Sequence, residues 1–181
     1  MRAVSAALGC LLLYIPHDIH AYVDGPVTDR DGGSALTCRE CHFHEEDLAG
    51  AGSISISGLP PRYESGRVYT LTLHLLRPDM KRGGFQMSVR GDAGAPAGKL
   101  TSADENVKVV ADPNSGVTFA QHSEDGAPFV DNGRAAWTIQ WSAPIESSGV
   151  VFYAAGNASN GDDSALGDVI LLFSRALEPN H

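Results

Sequence analysis

The sequence lacks the features that mark common hydrolases, nucleic-acid-binding proteins and membrane proteins. It contains no nucleophile elbow, no phosphate-binding loop and no His-Glu-x-x-His motif. Its 13 basic residues are outnumbered by 22 acidic ones, which gives a formal net charge of −9 and excludes the basic surface that nucleic acid requires. No apolar run approaches the roughly 20 residues of a membrane helix. We therefore expect no nucleic-acid partner and no membrane span.

The N-terminal 21 residues are typical of a secretory signal. Met1-Arg2 gives a short positive start, residues 3–15 are mostly apolar, and Ala21 ends a plausible cleavage site. This pattern predicts a periplasmic or secreted mature chain of residues 22–181. A buried N-terminal helix and a lipid attached at Cys10 are the alternatives.

Cysteine is scarce, and its placement is the most informative feature of the chain. Of three cysteines, signal cleavage would remove Cys10 and leave the sequence Cys38-Arg39-Glu40-Cys41-His42. Two thiols three positions apart can form thioethers to the two vinyl groups of one porphyrin, and the histidine that follows can reach its iron. The motif predicts one covalent haem c, with Cys38 and Cys41 as attachment points and His42 as the proximal iron ligand.

Two other fates of these cysteines stay open. Export places them in an oxidising compartment, where a Cys38–Cys41 disulfide is the other outcome that the chemistry allows. Zinc bound by Cys38, Cys41, His42 and His44 is possible by ligand type, although four ligands within seven residues would be cramped.

The remainder of the chain predicts an all-β fold. Residues 22–52 form an irregular segment carrying the cysteine motif, and from residue 53 onward short alternating stretches are separated by turn residues. With 20 glycines and 10 prolines, residues 53–181 predict an immunoglobulin-like antiparallel β-sandwich that forms one compact unit with residues 22–52. The predicted strands are residues 53–57, 68–75, 85–89, 107–111, 117–120, 137–141, 150–155 and 169–173.

An ordered series of short motifs supports a family resemblance. The series comprises Cys38-x-x-Cys41-His42, Tyr69-Thr70-Leu71-Thr72-Leu73, Gly84-Phe85-Gln86-Met87, His122-Ser123, Trp137-x-x-x-Trp141 and the stretch from Gly149 to Asn157. In this series the chain resembles the choice-of-anchor V domain proteins of bacteria, which are relatives of the reelin (Reeler) domain. The resemblance implies an exported β-sandwich with a haem-attachment motif in its N-terminal loop, and it implies little about a reaction.

The ligand on the opposite side of the iron is the main open question about a haem site. His122, at the end of a predicted strand, is the first candidate, with a surface histidine as the alternative. Met80, in a turn, is the weaker candidate, and an exposed turn methionine is the simpler interpretation. We expect Met87 in the core and His74 in solvent. The Asn157–Asp168 stretch is either a loop held by side-chain turns or a calcium site.

Three functions follow from these features. The first is a monohaem c-type cytochrome-like protein in electron transfer with an unidentified redox partner. The second is a non-enzymatic extracellular adhesion or recognition β-sandwich with a Cys38–Cys41 disulfide and no haem. The third is a haem-dependent enzyme or sensor with a vacant distal position. An electron carrier or a binding module is expected ahead of an enzyme.

Overall fold

The computed structural model describes residues 52–180, except residues 128, 129, 131, 163 and 165. The described residues form ten strands, listed here in chain order: β1 (Ser53–Ser57), β2 (Arg62–Tyr63), β3 (Val68–Leu76), β4 (Arg82–Arg90), β5 (Lys99–Ser102), β6 (Val107–Ala111), β7 (Thr118–His122), β8 (Arg134–Ser142), β9 (Val150–Ser159) and β10 (Val169–Pro179). A single turn of 3-10 helix, Asp92–Gly94, lies between β4 and β5. Within this described part no helix is long and apolar enough to span a membrane.

The strands form two sheets. One has four strands in the order β1-β3-β8-β5, and the other has six in the order β2-β10-β9-β4-β7-β6. The predicted all-β sandwich is therefore confirmed. The pairing is antiparallel except for the two-residue strand β2, which pairs in parallel with Glu178 and Pro179 of β10.

The main core lies between the sheets and follows the period-two pattern of the strands. On β3, Leu71, Leu73 and Leu75 are buried while His74 is exposed, as the alternation predicts. Trp137 and Trp141 lie on the inward face of β8 and are 3% and 0% exposed. The predicted packing of Met87 in the core is also confirmed.

Aromatic rings connect the two sheets at both ends of β8. The Trp141 ring makes edge contacts with Tyr63 and Phe152 at centroid distances of 5.4 and 4.8 Å. Its indole nitrogen donates a hydrogen bond to the Ala97 carbonyl, so the polar atom is satisfied where the ring is buried. At the other end, the Trp137 ring lies 4.7 Å from that of Phe85.

Strand β4 differs from its prediction in one respect. The predicted strand covers residues 85–89, but β4 begins at Arg82 and runs through Gly83 and Gly84. A Cβ at Gly83 would lie 2.9 Å from the Ala135 Cβ, on the core side. One at Gly84 would lie 2.8 Å from Cε1 of His122. The glycines are strand residues that permit close packing on both faces.

Candidate functional site

The cysteine motif, Cys38, Cys41 and His42, lies outside the described residues, as does His44. The described part of the chain can be examined for the residues that would complete a haem site. Over that part, no group of three or more His, Cys, Asp or Glu side chains is arranged to hold a metal ion. The candidates that remain are the single side chains His122 and Met80.

His122 ends β7 and is 8% exposed, so the alternative of a surface histidine is wrong. The pairing of β7 with β4 covers residues 119–121 opposite 86–88 and ends there. Beyond this point the His122 side chain, rather than its backbone, meets β4. Its Nδ1 accepts a hydrogen bond from the Phe85 amide at 3.0 Å or donates one to the Phe85 carbonyl at 3.1 Å, according to the tautomer.

The His122 ring rests against the backbone of Gly84. A Cβ at that position would lie 3.1 Å from Nδ1 and 3.2 Å from Nε2, besides its contact with Cε1. The flat ring therefore occupies the volume that any other residue at position 84 would fill. Backbone and glycine together fix the position and orientation of the imidazole.

In one of its two tautomers, His122 makes the hydrogen bond that metal-binding histidines commonly make. Histidines that bind metals commonly donate the second ring nitrogen to a backbone carbonyl or carboxylate, which fixes the tautomer and ring orientation. Here the Phe85 carbonyl lies within hydrogen-bond distance of Nδ1. If Nδ1 donates to this carbonyl, Nε2 carries the lone pair that an iron ligand needs, whereas if Nδ1 accepts from the Phe85 amide, Nε2 carries the proton.

Met80 does not fit the same role. It lies in the turn between β3 and β4 as predicted, but its side chain is 1% exposed and belongs to the main core. The expected exposure of this methionine is therefore wrong: the turn, which is closed by a bond from the Met80 amide to the Arg77 carbonyl, places the side chain in the core. Ligation by Met80 would require the side chain to leave the core, at a cost of a few kcal/mol.

The loop from Asn157 to Asp168 is held by its own side chains. Asp168 is buried, and its carboxylate accepts hydrogen bonds from the Asn157 side chain at 3.0 Å and from the Asn160 amide at 3.2 Å. Asp162 accepts a bond from the Ser164 amide, and this bond lowers the pKa of the Asp162 carboxyl. Such side-chain turns explain the Asn, Asp and Gly content of the loop without a calcium ion.

Similarity to known structures identifies the fold. The Reelin-N domain of F-spondin matches with a TM-score of 0.55 at 18% identity, over 81% of this chain and 98% of that one. A crystal structure of the human F-spondin reeler domain matches with a TM-score of 0.50 at 18% identity, over 77% of this chain and 95% of that one. The chain has a reelin-domain-like fold. No protein-family model and no curated protein matches it.

The reelin-domain-like fold confirms the fold part of the resemblance. A structural likeness at this level of identity shows architecture and does not extend to a cofactor. The reelin-like sandwich supplies a rigid scaffold, with His122 at the end of one strand of its larger sheet. The sequence pattern identified His122 as a candidate ligand. The contacts of its ring with Phe85 and Gly84 depend on how β4 pairs with β7, which the pattern does not show.

Proposed function

We propose that this protein is an exported monohaem c-type cytochrome-like protein that transfers electrons. The resemblance to choice-of-anchor V domain proteins and the N-terminal signal support export to the periplasm or beyond. Cys38 and Cys41 would each add a thiol across one vinyl group of the porphyrin, and His42 would bind the iron from the proximal side. When bound, the haem supplies a one-electron couple at its iron.

The observation that carries the proposal within the described residues is the placement of His122. Its ring is buried, seated on Gly84, and held at Nδ1 by the backbone of Phe85. A fixed, buried imidazole requires little reorganisation when the iron changes oxidation state.

Ligation by His42 and His122 has a definite electronic consequence. His42 and His122 would together hold the iron, and two histidines would favour a lower reduction potential than a histidine–methionine pair does. With both histidines holding the iron, ligand binding and peroxide chemistry would not be expected. The protein is therefore proposed as an electron carrier rather than an enzyme.

The test is the optical and electron paramagnetic resonance spectrum of the protein produced in a host that attaches haem c. The wild type is expected to be six-coordinate and low-spin, and His122→Ala is expected to become high-spin while retaining covalent haem. His74→Ala is the matched control, because His74 is exposed on β3, where it bonds to Ser57 at the surface. An unchanged low-spin spectrum in His122→Ala would remove this residue as the distal ligand.

A further inference from the structure

Two Asn-Gly sequences lie in the described part of the chain, Asn132-Gly133 directly before β8 and Asn160-Gly161 directly after β9. Asparagine is among the chemically labile residues of proteins, and it is most reactive before glycine. The amide nitrogen of the next residue attacks the carbonyl carbon of the asparagine side chain, and a glycine has no side chain to hinder that approach. The structure gives the two sequences different surroundings, so we expect different reactivities.

Both asparagines fold the side chain back over their own backbone. Oδ1 of Asn132 accepts a hydrogen bond from the Arg134 amide at 3.1 Å, and Oδ1 of Asn160 accepts one from the Asp162 amide at 3.1 Å. In such an Asx turn the side-chain carbonyl stands where the carbonyl of the first residue of a β-turn would stand. Its carbon, Cγ, is therefore brought close to the amide nitrogen of the following glycine. These are the two atoms that join when a five-membered succinimide ring closes.

Further hydrogen bonds restrain the site at Asn160. The Gly161 amide donates to the Ser159 hydroxyl at 3.1 Å, and an N–H that is bonded in this way loses its proton to solvent less readily. Nδ2 of Asn160 donates to Oδ2 of Asp162 at 3.0 Å and to the Leu166 carbonyl at 3.3 Å. Ring closure at Asn160 would have to break these bonds, which hold both the attacking nitrogen and the leaving group in place.

The site at Asn132 has no such restraint among the residues that the structure describes. Asn132 is exposed, and no described group accepts a hydrogen bond from its Nδ2 or from the Gly133 amide. The bond from the Arg134 amide to Oδ1 of Asn132 positions Cγ, and it also draws electron density toward the oxygen, which makes Cγ a better electrophile. The turn thus prepares Asn132 for attack and leaves the attacking nitrogen available.

We infer that Asn132 is a site of spontaneous deamidation and that Asn160 is protected from the same reaction by the hydrogen bonds of its own loop. The Gly133 nitrogen gives up its proton and forms a bond to Cγ of Asn132, and the bond from Cγ to Nδ2 breaks to release ammonia. Water then opens the succinimide at one of its two carbonyls, which gives aspartate or isoaspartate. Overall, one water molecule is consumed and one ammonia is released. The inference is independent of haem.

Isoaspartate at position 132 would disturb the start of β8. Its peptide linkage runs through the side chain, which adds one carbon atom to the main chain before Gly133. The last β3–β8 pair is Leu76 with Arg134, and one residue beyond it the Gly133 carbonyl accepts a hydrogen bond from the Arg77 amide at 2.9 Å. A Cβ at Gly133 would overlap the Arg77 carbonyl oxygen, so the two backbones pack too closely for the longer linkage. Aspartate keeps an acceptor oxygen for the Arg134 amide and should be tolerated.

Incubation of the mature full chain at mildly alkaline pH, followed by tryptic peptide mapping, tests the inference. Trypsin places the two sites on separate peptides, residues 109–134 and residues 135–175. Mass spectrometry measures the conversion of amide to acid in each peptide, fragment ions assign it to Asn132 or Asn160, and an isoaspartyl methyltransferase labels the isoaspartate. In the native chain we expect the amide to be lost about tenfold faster, or more, at Asn132 than at Asn160, since several hydrogen bonds must open at Asn160.

The same chain unfolded in concentrated urea is the control, because both Asn-Gly sequences then lack fixed neighbours and should react at comparable rates. Ser159→Ala removes the acceptor of the Gly161 amide, and we expect it to speed the loss at Asn160 while the rate at Asn132 stays unchanged. Equal rates at the two sites of the native chain, or a faster loss at Asn160, overturn the inference. So does a native rate at Asn132 about tenfold or more below its rate in urea, since the fold would then protect this site too.

Discussion

The imidazole of His122 takes the place of a backbone partner for Phe85. Nδ1 of His122 lies 3.0 Å from the Phe85 amide nitrogen and 3.1 Å from its carbonyl oxygen, at the point where the pairing of β7 with β4 ends. A side chain that closes a strand ladder in this way cannot change rotamer without leaving the Phe85 backbone unsatisfied. This contact makes His122 a fixed group rather than a mobile surface histidine.

Gly84→Ala should displace the His122 ring. The added methyl group would lie 2.8 Å from Cε1 of that ring, closer than nonbonded carbons approach, so the ring or the strand must move. We expect the protein to lose about 1–3 kcal/mol of stability, and a haem-loaded sample to lose low-spin character. Denaturant unfolding and the visible spectrum measure the two effects.

Gly91→Ala is the matched control for this substitution. A Cβ at Gly91 would meet its nearest neighbours at 3.7 and 3.8 Å, which is ordinary contact, and its φ of −93° suits any residue. Stability close to the wild type is expected. Equal effects of Gly84→Ala and Gly91→Ala would show that the His122 contact with Gly84 is unimportant.

Trp137→Phe should destabilise the sandwich because it removes a buried hydrogen bond and leaves a smaller ring in the core. The indole nitrogen donates to the Gly126 carbonyl at 2.6 Å in a buried position, and phenylalanine leaves that carbonyl without this donor. We expect a loss of about 1–3 kcal/mol, measured by chemical denaturation. Tyr153→Phe is the control, because Tyr153 is 36% exposed on β9; it should change stability by no more than about 0.5 kcal/mol. A similar loss of stability in both variants would show that the buried Trp137 indole makes no special contribution.

Asp112 should make stability depend on pH in the acid range. Its carboxylate accepts hydrogen bonds from the backbone amides of Asn114 and Ser115, and these bonds lower the pKa of Asp112 below its usual value. Because the folded pKa is depressed, the stabilisation is present above the unfolded pKa of about 3.9 and is lost as the pH falls through the folded pKa.

Asp112→Asn provides the measurement, since asparagine retains an acceptor oxygen but does not titrate. The difference in melting temperature between wild type and Asp112→Asn should be largest near neutral pH and should shrink below pH of about 4. A difference that stays constant across this range would mean that the charge of Asp112 contributes nothing to folding.

The sequence predicted much of the sandwich because its strands alternate. Leu71, Leu73 and Leu75 repeat every second residue, and this period identifies a strand with one buried face. Strands without this repeat were predicted less well. On β4 both faces are buried, so no alternation marks the strand, and a Gly83-Gly84 pair is by composition typical of a turn. Strands β2 and β5 have only two and four residues, too few for any period to emerge.

The candidate site was only partly predictable. The position of His122 at a strand end followed from the pattern of its neighbours, but its bond to Phe85 depends on which strands pair and where their pairing ends. The burial of Met80 depends on the inward path of a turn, which local sequence does not specify. Gln86 is 6% exposed and bonds to Gln121 of the neighbouring strand, whereas composition alone predicts a glutamine in solvent.

The most direct test of the central claim is a pyridine haemochrome spectrum of the protein purified from its native compartment, after acidic-acetone extraction of loose haem. The account predicts a c-type α-band that survives extraction and disappears when Cys38 and Cys41 are both replaced by serine. A colourless protein whose peptide map shows a Cys38–Cys41 disulfide would contradict it and would make the chain a reelin-like binding module instead.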